Sequence, residues 1–385
     1  MPGNKTADVV VVGGGVIGSS IAYELSSRGI STLVLEKNSI ASEASSAAAG
    51  MLAAQGEFIE DSKLLQLALR SRSMFPQLVQ RLKDACGMDI GYVHHGLLRM
   101  ALNLQDVQRY QEQAQFQQDI GLNSKWLTKE ETILLEPSLS ASIEGALLLK
   151  DDHQVIASQL TRAYAMAAAA QGAQFREYAE VHELLLEHGE IKGVRLRDEV
   201  IQCNKVVIAS SIWAFDLLRS AGYNLPISPV KGECIAVRLP NSSIQRTIYS
   251  DIGYLVPKAN GELIIGATAK PGIVDKSVSL AGISSLIRAA EQLVPSIRES
   301  EWIRAWSGLR PNTPTGLPYM GKHPELQGLF IAAGHYRNGI LLSPVTGMII
   351  ADLIEGNDID TDLSSYSIPV LHYDRNKKMA GVNTA

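Results

Sequence analysis

A glycine-rich segment near the N-terminus constrains the fold of this chain more than any other feature. The run ADVVVV at 7–12 is apolar and β-branched, which is typical of a strand buried on both faces of a parallel sheet. Gly13, Gly15 and Gly18 follow in the spacing GxGxxG, and then come a helical pattern and a second apolar strand, STLVLEK at 31–37. This order of strand, helix and strand predicts a dinucleotide-binding βαβ unit and therefore an α/β fold.

Each glycine of the motif has a physical role in holding a nucleotide. Gly13 permits the tight turn, Gly15 lets backbone approach a pyrophosphate, and Gly18 lets the helix pack against the strand. Glu36, at the end of the second strand, places a carboxylate where it can accept hydrogen bonds from a ribose diol. No second GxGxxG occurs in the chain, so we expect one dinucleotide, and the motif by itself leaves both NAD and FAD open.

Length, composition and charge restrict the classes of function. A chain of 385 residues, 46% hydrophobic and 19% charged, predicts a soluble protein of two domains. A net charge of −5 argues against nucleic acid or an anionic membrane as partner, because both require a basic face, and favours small molecules. Cys86, Cys203 and Cys234 form no CxxC pair and no HExxH motif occurs, so we expect neither a disulfide nor a metal. The N-terminus lacks the pattern of a secretory signal, which predicts a cytoplasmic location.

The C-terminal half adds a second set of patterns. KVVIASSIWAFDLL at 205–218 repeats the order of strand, turn and helix, and is expected to rejoin the first domain. Several strand-like stretches between 226 and 306 predict an antiparallel sheet. The apolar strand GLFIAAG then leads into GHYRNGILLSP at 334–344, where polar side chains crowd onto a glycine turn before an apolar helix.

Five motifs, taken in order, carry a family resemblance. GGGVIGSSIAYEL, SSAAAGM, PVKGE, WSGLRPNTPTGLPYMG and AAGHYRNGILLSPVTG resemble the FAD-dependent amino-acid oxidases of the D-amino acid oxidase and sarcosine oxidase family. The resemblance implies FAD as the dinucleotide, bound to a Rossmann-like domain of the glutathione-reductase type, and a second substrate domain containing an antiparallel sheet. The implied boundaries are 1–87, 150–220 and 307–385 for the FAD-binding domain, and 88–149 and 221–306 for the substrate domain.

The resemblance also implies the residues that contact FAD. They are Gly13, Gly15, Val16, Ile17, Gly18, Glu36, Lys37, Ala44, Ser45, Ala49, Gly50, Met51, Val181, His335, Tyr336, Arg337, Asn338, Gly339, Ile340 and Leu341. Glu36 and Lys37 are expected on the adenosine ribose, Val181 beside the adenine, and the segment 335–341 along the isoalloxazine ring. The helix N-terminus in that segment can stabilise negative charge at the N1–C2 edge of the ring. A solvated Arg337 and a buried, structural His335 are the alternative interpretations. The link to FAD is expected to be non-covalent, because RPNTPTGLPYMGKHPE contains no cysteine.

Arg310 and Tyr254 are expected to bind the substrate carboxylate. A guanidinium grips a planar carboxylate through two charge-assisted hydrogen bonds, which lysine cannot do. The resemblance places the hydroxyl of Tyr254 on the same carboxylate and adds Arg337 and Met51 to the site, with Met51 closing the space for a side chain. Purely structural roles for Arg310 and Tyr254 are the alternatives.

Two positions depart from the family members that this chain resembles most. Ile252 stands in place of a histidine and Ala269 in place of a methionine, and both are expected near the substrate, where they would alter the width and polarity of the site.

Within the family, the resemblance is greatest to bacterial enzymes that oxidise glycine for thiamin thiazole synthesis. It implies transfer of a hydride from the substrate Cα to flavin N5, so we nominate no acid or base side chain. The implied reaction converts glycine, O2 and water to glyoxylate, ammonia and hydrogen peroxide through an imine, with sarcosine and small D-amino acids as further substrates. A homotetramer is implied as well. The alternatives are an oxidase or dehydrogenase of sarcosine or another small amine, and a flavin-binding module without turnover.

Overall fold

The computed structural model describes residues 7–57, 60–240 and 244–373, so the outermost residues of the expected FAD-binding domain lie outside the described ranges. Within these ranges the strands are β1 (Val9–Val12), β2 (Thr32–Leu35), β3 (Met51–Leu52), β4 (Leu97–Ala101), β5 (Ser124–Thr128), β6 (Gly145–Leu149), β7 (His153–Gln154), β8 (Gln174–Arg176), β9 (Glu183–Glu187), β10 (Glu190–Arg195), β11 (Val200–Gln202), β12 (Lys205–Ile208), β13 (Ser228–Arg238), β14 (Thr247–Ser250), β15 (Gly253–Pro257), β16 (Leu263–Gly266), β17 (Lys270–Pro271), β18 (Glu301–Asn312), β19 (Tyr319–Lys322) and β20 (Leu329–Ala333). The helices of the same ranges are α1 (Val16–Ser27), α2 (Ala44–Ala47), α3 (Ala54–Glu57), α4 (Lys63–Cys86), α5 (Leu104–Asp119), α6 (Lys129–Leu135), α7 (Ala157–Ala170), α8 (Ala214–Ser220), α9 (Leu280–Leu293) and α10 (Gly339–Glu355).

A six-stranded sheet forms the first layer, in the order β19-β20-β12-β1-β2-β8. Its strands are parallel except for β19, which runs antiparallel to β20. Every residue of β1 is buried, as expected of a strand covered on both faces. The α/β class and the βαβ unit predicted from the N-terminal motif are therefore confirmed.

A larger sheet carries the second layer. Its order is β17-β13-β16-β15-β14-β4-β6-β5, with β18 paired to β13 from Ser228 opposite Asn312 to Arg238 opposite Glu301. Neighbouring strands are antiparallel except β4 and β14, which are parallel. The antiparallel sheet predicted for 226–306 is present, and the expected domain boundary between 306 and 307 falls inside β18.

One helix within 226–306 was not foreseen in the sequence. Helix α9 begins after Ser279, whose side chain accepts a hydrogen bond from the backbone N–H of Gly282, and it buries Leu286, Ala290 and Leu293 against the large sheet. This cap and the helical spacing of the apolar residues explain why the segment forms a helix instead of a further strand.

The two ends of the chain meet in the core. Helix α1 packs against α7 and α10, and the hydroxyl of Ser20 in α1 donates to the carbonyl of Ser343 in α10 at 2.7 Å. A Cβ on Gly347 would lie only 2.4 Å from the Ser20 Oγ, so this glycine permits the close approach of the two helices. The glycine motif and the segment 334–344 are thereby brought to one edge of the six-stranded sheet.

Candidate active site

A long cavity, here named the dinucleotide cavity, opens where β1, β2 and β20 end at their carboxyl termini. Such a crevice is where open α/β sheets bind their ligands. The residues expected from sequence to contact FAD that line it are Gly13, Gly15, Val16, Ile17, Glu36, Lys37, Ala44, Ser45, Val181, His335, Tyr336, Arg337, Gly339 and Ile340. Residues from the start, middle and end of the chain therefore share one cavity.

The glycine motif shapes this cavity through the absence of side chains. Gly13 has a φ of +111°, and a Cβ there would lie 2.6 Å from the carbonyl oxygen of Ala209. A Cβ on Gly18 would lie 1.9 Å from the carbonyl oxygen of Gly13, so Gly18 lines no cavity but permits α1 to pack against the turn. Both contacts are with backbone, which a side-chain rotation cannot relieve.

Glu36 is held in place by backbone donors. Its Oε2 accepts the N–H of Gly14 at 2.7 Å and its Oε1 accepts the N–H of Asn38 at 2.8 Å. Each carboxylate oxygen keeps acceptor capacity for a ribose hydroxyl. The role of Gly14 was missed from sequence, although it lies within the motif itself.

Ser45 and Lys37 also have defined partners. Ser45 Oγ accepts the N–H of Val16 at 2.9 Å, which leaves its hydroxyl proton available to a phosphate at the start of α1. Lys37 Nζ lies 3.4 Å from the ring centroid of Trp213, a cation–π contact with a residue that the sequence did not indicate. Together the Cβ-free turn, the helix N-terminus and the anchored carboxylate fit the pyrophosphate and ribose of FAD.

Two residues of the C-terminal segment face the core. The side chain of His335 is buried, and its Nε2 lies 3.1 Å from Thr346 Oγ1. Burial lowers the pKa of His335 to about 3, so the ring is neutral at physiological pH. Leu341 lines neither cavity and is buried in the hydrophobic core. The geometry agrees with the buried, structural alternative for the His335 side chain.

A second cavity, here named the arginine cavity, adjoins the first at 336–340. Of the residues expected in the site, it is lined by Ala44, Ala49, Gly50, Met51, Tyr254, Arg310, Tyr336, Arg337, Asn338 and Ile340. The segment GHYRNGI thus forms the wall that both cavities share. Tyr336, Arg337 and Ile340 of this segment line both cavities.

Arg310 enters the arginine cavity from β18. Its Nη1 donates to the carbonyl of Thr268 at 3.2 Å, and no carboxylate of the described residues lies within ion-pair distance of it. A Cβ on Gly232 would lie 2.3 Å from Nη1 and 2.5 Å from Cζ, so the guanidinium rests directly on the backbone of β13. A cation held this way, without an acid partner and open to a cavity, is suited to a carboxylate ligand.

Tyr254 reaches the same cavity from β15. Its ring is buried against Gly266, and its hydroxyl lies 3.6 Å from Cys234 Sγ. Burial raises the pKa of Tyr254 well above its ordinary value, so the hydroxyl stays protonated and can donate to a ligand.

Arg337, unlike Arg310, is already paired. Its Nη2 donates to Glu57 Oε1 at 2.8 Å and to the hydroxyl of Tyr249 at 2.8 Å. Tyr249 also donates to Glu57 at 3.2 Å, and burial followed by the nearby Glu57 raises the pKa of Tyr249 to about 12. Glu57 and Tyr249 were not identified from sequence, and no local pattern marks either of them.

Ile252 and Ala269 do not line the arginine cavity. Ile252 is 40% exposed in the turn between β14 and β15, and Ala269 is exposed just after β16. They are not among the residues that line this cavity, and a place near the substrate stays a prediction. The arginines and tyrosines, rather than these two positions, define the cavity.

The fold and the glycine turn define a dinucleotide-binding α/β protein with a second, adjoining cavity that contains two arginines. The model of the FAD dependent oxidoreductase family, DAO, matches residues 8–353, and the chain belongs to this family. FAD is accordingly its cofactor, which settles the choice that the glycine motif left open. Within the described residues, no helix combines the length and apolarity needed to cross a membrane.

Three similarities narrow the comparison. Glycine oxidase of Geobacillus kaustophilus (strain HTA426) is 44% identical, covering 94% of this chain and 96% of the relative. A crystal structure of glycine oxidase from Geobacillus kaustophilus matches with a TM-score of 0.92, over 94% of this chain and 98% of that one. The bifunctional protein ThiO/ThiG of Trichormus variabilis is 35% identical over 97% of this chain, which spans only 56% of that longer protein.

Proposed function

We propose that this chain oxidises glycine to glyoxylate, ammonia and hydrogen peroxide at the expense of O2 and water, and that its imine supplies thiamin thiazole synthesis. Sarcosine and small D-amino acids are included as further substrates. The observation that carries the proposal is Arg310, a cavity-facing cation with no carboxylate partner among the described residues. The similarity to glycine oxidases supports glycine as the substrate, since those relatives align over nearly the whole chain.

The residues of the chain bind and orient the substrate. Arg310 donates two hydrogen bonds to the carboxylate and Tyr254 a third, which fixes the direction of the Cα hydrogen. Met51, half-buried in the wall of the same cavity, limits the space beyond Cα and disfavours bulky side chains. FAD, when bound in the dinucleotide cavity, supplies the oxidation by accepting a hydride at N5.

Peroxide formation with different amines tests the substrate class. The purified flavin-loaded protein is given glycine, sarcosine, D-alanine and D-phenylalanine at millimolar concentration, and peroxide is measured by a coupled assay. We expect turnover of the first three and poor turnover of D-phenylalanine. Turnover restricted to D-phenylalanine contradicts the proposal, and oxidation of the amines with a dye but not with O2 identifies a dehydrogenase instead.

The proposal includes non-covalent FAD, a homotetramer and a cytoplasmic location. No cysteine of the described residues lines the dinucleotide cavity, whereas Cys234 lines the arginine cavity. Acid precipitation should therefore release the flavin into the supernatant, and a yellow pellet under a colourless supernatant contradicts this. Light scattering and cell fractionation test the tetramer and the location.

A further inference from the structure

A hydrogen-bond network orients Arg310, and the residues of this network are not among the binding residues described so far. Its one hydrogen bond with the described residues goes to the backbone carbonyl of Thr268, at 3.2 Å. The direction of the guanidinium therefore depends on where Thr268 is held, and the guanidinium also lies against the backbone of Gly232.

Glu233 holds Thr268 through three hydrogen bonds. The N–H of Thr268 donates to the carbonyl of Glu233 at 3.2 Å, and the N–H of Glu233 donates to Thr268 Oγ1 at 2.8 Å. The hydroxyl of Thr268 in turn donates to Glu233 Oε2 at 3.1 Å. The backbone and the carboxylate of Glu233 thus hold both the backbone N–H and the hydroxyl of Thr268.

The carboxylate of Glu233 is itself fully engaged. Oε1 accepts the N–H of Ser279 at 2.8 Å, at the start of α9, and Oε2 lies 3.0 Å from Lys270 Nζ. Although burial favours the neutral acid, the Ser279 N–H and the Lys270 ammonium lower the pKa of Glu233 to about 2, so it is ionised at working pH. A Cβ on Gly282 would lie 1.9 Å from Oε2, so a side chain there would displace the carboxylate from its present position.

Strand alternation explains why Glu233 is not the acid partner of Arg310, because neighbouring residues of β13 face opposite sides of the sheet. Glu233 directly follows Gly232, the residue on which the guanidinium rests, and is the acid closest to it along β13. Its two oxygens are directed instead to α9, Lys270 and Thr268. The positive charge of Arg310 is consequently left for a ligand, while its geometry is still controlled by Glu233 through Thr268.

We propose that Glu233 is a positioning residue for the carboxylate clamp: it orients Arg310 through Thr268 while its own charge is kept away from the guanidinium. This inference rests on the proposed function in so far as Arg310 binds the substrate carboxylate. It predicts that loss of the Glu233–Thr268 contact weakens carboxylate binding without slowing the oxidation of bound substrate.

The test separates binding from turnover. Acetate, which carries the carboxylate of glycine without the amino group, is titrated into the flavin-loaded protein and followed through the flavin absorbance, and kcat and KM for glycine are measured in parallel. Thr268→Val removes the side-chain hydrogen bond, Glu233→Gln removes the negative charge of its acceptor, and Thr268→Ser retains the hydroxyl. Glu262→Gln is the matched control, because Glu262 pairs with Arg304 on the same sheet, outside both cavities.

We expect Glu233→Gln and Thr268→Val to raise the acetate Kd and the KM for glycine by roughly 5-fold to 30-fold, as for the loss of one hydrogen bond that orients a charged group. Their kcat and flavin content should stay close to wild type, and Thr268→Ser and Glu262→Gln should change little. Should Glu233→Gln fail to fold, Thr268→Val decides.

Two results overturn the inference: unchanged acetate binding in flavin-loaded Glu233→Gln and Thr268→Val, or a fall in kcat and flavin content that accompanies the loss of affinity. If the wild type fails to oxidise glycine while both variants still lose acetate affinity, the proposed function is wrong and the positioning role stands.

Discussion

The dinucleotide cavity and the arginine cavity are shaped in different ways. At its glycine turn the first is shaped by backbone, since Gly13 and Gly18 leave no space for a Cβ and α1 presents its N-terminus. The second is formed by side chains, with Arg310 and Tyr254 arriving from different strands of the large sheet. A change in the first cavity should therefore alter folding and cofactor retention, whereas a change in the second should alter affinity for the substrate.

Three cations sharpen this contrast. Among the described residues, Arg310 has no carboxylate partner, Arg337 is paired with Glu57, and Lys258 is buried with only carbonyl acceptors. A charged side chain is thus placed in three different electrostatic settings within one molecule. The settings predict different responses to substitution, because only an unpaired, accessible cation can hold an external anion.

The largest effect is expected from Gly18→Ala. The added Cβ would lie 1.9 Å from the carbonyl oxygen of Gly13, and this backbone contact can be relieved only by moving α1 away from the turn. We expect loss of FAD and a destabilisation of about 3 kcal/mol or more, as for severe overpacking. The ratio of flavin to protein after gel filtration and the melting temperature measure both.

Gly29→Ala is the control for this change. Gly29 follows α1 with a φ of +78°, and no atom lies within 4 Å of the position that a Cβ would take there. Only the strain of a left-handed alanine is expected, about 1 kcal/mol, with the flavin retained. Equal flavin loss in the two variants would show that the backbone contact of Gly18 is not the cause and would remove the contrast.

The next effect concerns Arg310→Ala. The flavin spectrum should be nearly unchanged, while the KM for glycine rises roughly 30-fold to 1000-fold, corresponding to about 2 to 4 kcal/mol for a lost bidentate contact. Arg310→Lys should recover part of the affinity. Arg304→Ala, on the same strand and paired with Glu262, should leave KM within about 2-fold. Loss of FAD in Arg310→Ala, or a wild-type KM, means that Arg310 is structural.

The difference between the cavities also explains how far sequence could lead. The spacing of Gly13, Gly15 and Gly18, and the position of Glu36 after the second strand, are local patterns, so they predicted the βαβ unit and a dinucleotide from the chain itself. The family resemblance then predicted FAD, and the family match confirms it. The individual contact residues and the domain boundaries stay predictions.

What sequence could not supply are partners far apart along the chain. Glu57 and Arg337 are separated by 280 residues, and neither has a local pattern that marks the ion pair between them. The same holds for Thr268 and Arg310, which meet only because β13 pairs β18 on one side and Glu233 holds Thr268 on the other. Helix α9 was missed for a different reason, because strand-like segments surround it on both sides.

Lys258 gives a prediction on pH. Its Nζ donates to Gln154 Oε1 at 2.8 Å and to the carbonyl of Val155 at 2.9 Å, and burial lowers its pKa to about 7. Between pH 7 and 9 the unfolded chain binds the lysine proton more than the folded chain does, so the free energy of unfolding rises with pH. We expect wild type to gain stability relative to Lys258→Met by about 1 kcal/mol per pH unit over this range.

Urea unfolding of the flavin-loaded proteins at pH 7, 8 and 9 measures this difference. Lys125→Met serves as the control, because Lys125 is exposed and pairs only with the exposed Glu131. Its difference from wild type should vary little with pH. If the difference in unfolding free energy between wild type and Lys258→Met is equally independent of pH, Lys258 does not stay neutral in the folded protein between pH 7 and 9. The lowered pKa of Lys258 is then wrong.

The smallest effect is expected where a cation is already paired. Glu57→Gln keeps the size of the side chain next to Arg337 but removes the negative charge of Glu57. The second carboxylate of a dicarboxylate ligand in the arginine cavity would then meet an unpaired guanidinium instead of an acid. Malonate should therefore inhibit glycine oxidation about 3-fold to 10-fold more strongly relative to acetate, a modest gain because Arg337 is partly exposed to solvent.

Glu131→Gln removes one charge from an exposed pair outside both cavities and should leave the malonate-to-acetate ratio unchanged. The same ratio in both variants would mean that Arg337 does not reach a bound anion, and Arg310 would then be the sole cation of the described residues that the cavity offers to substrate.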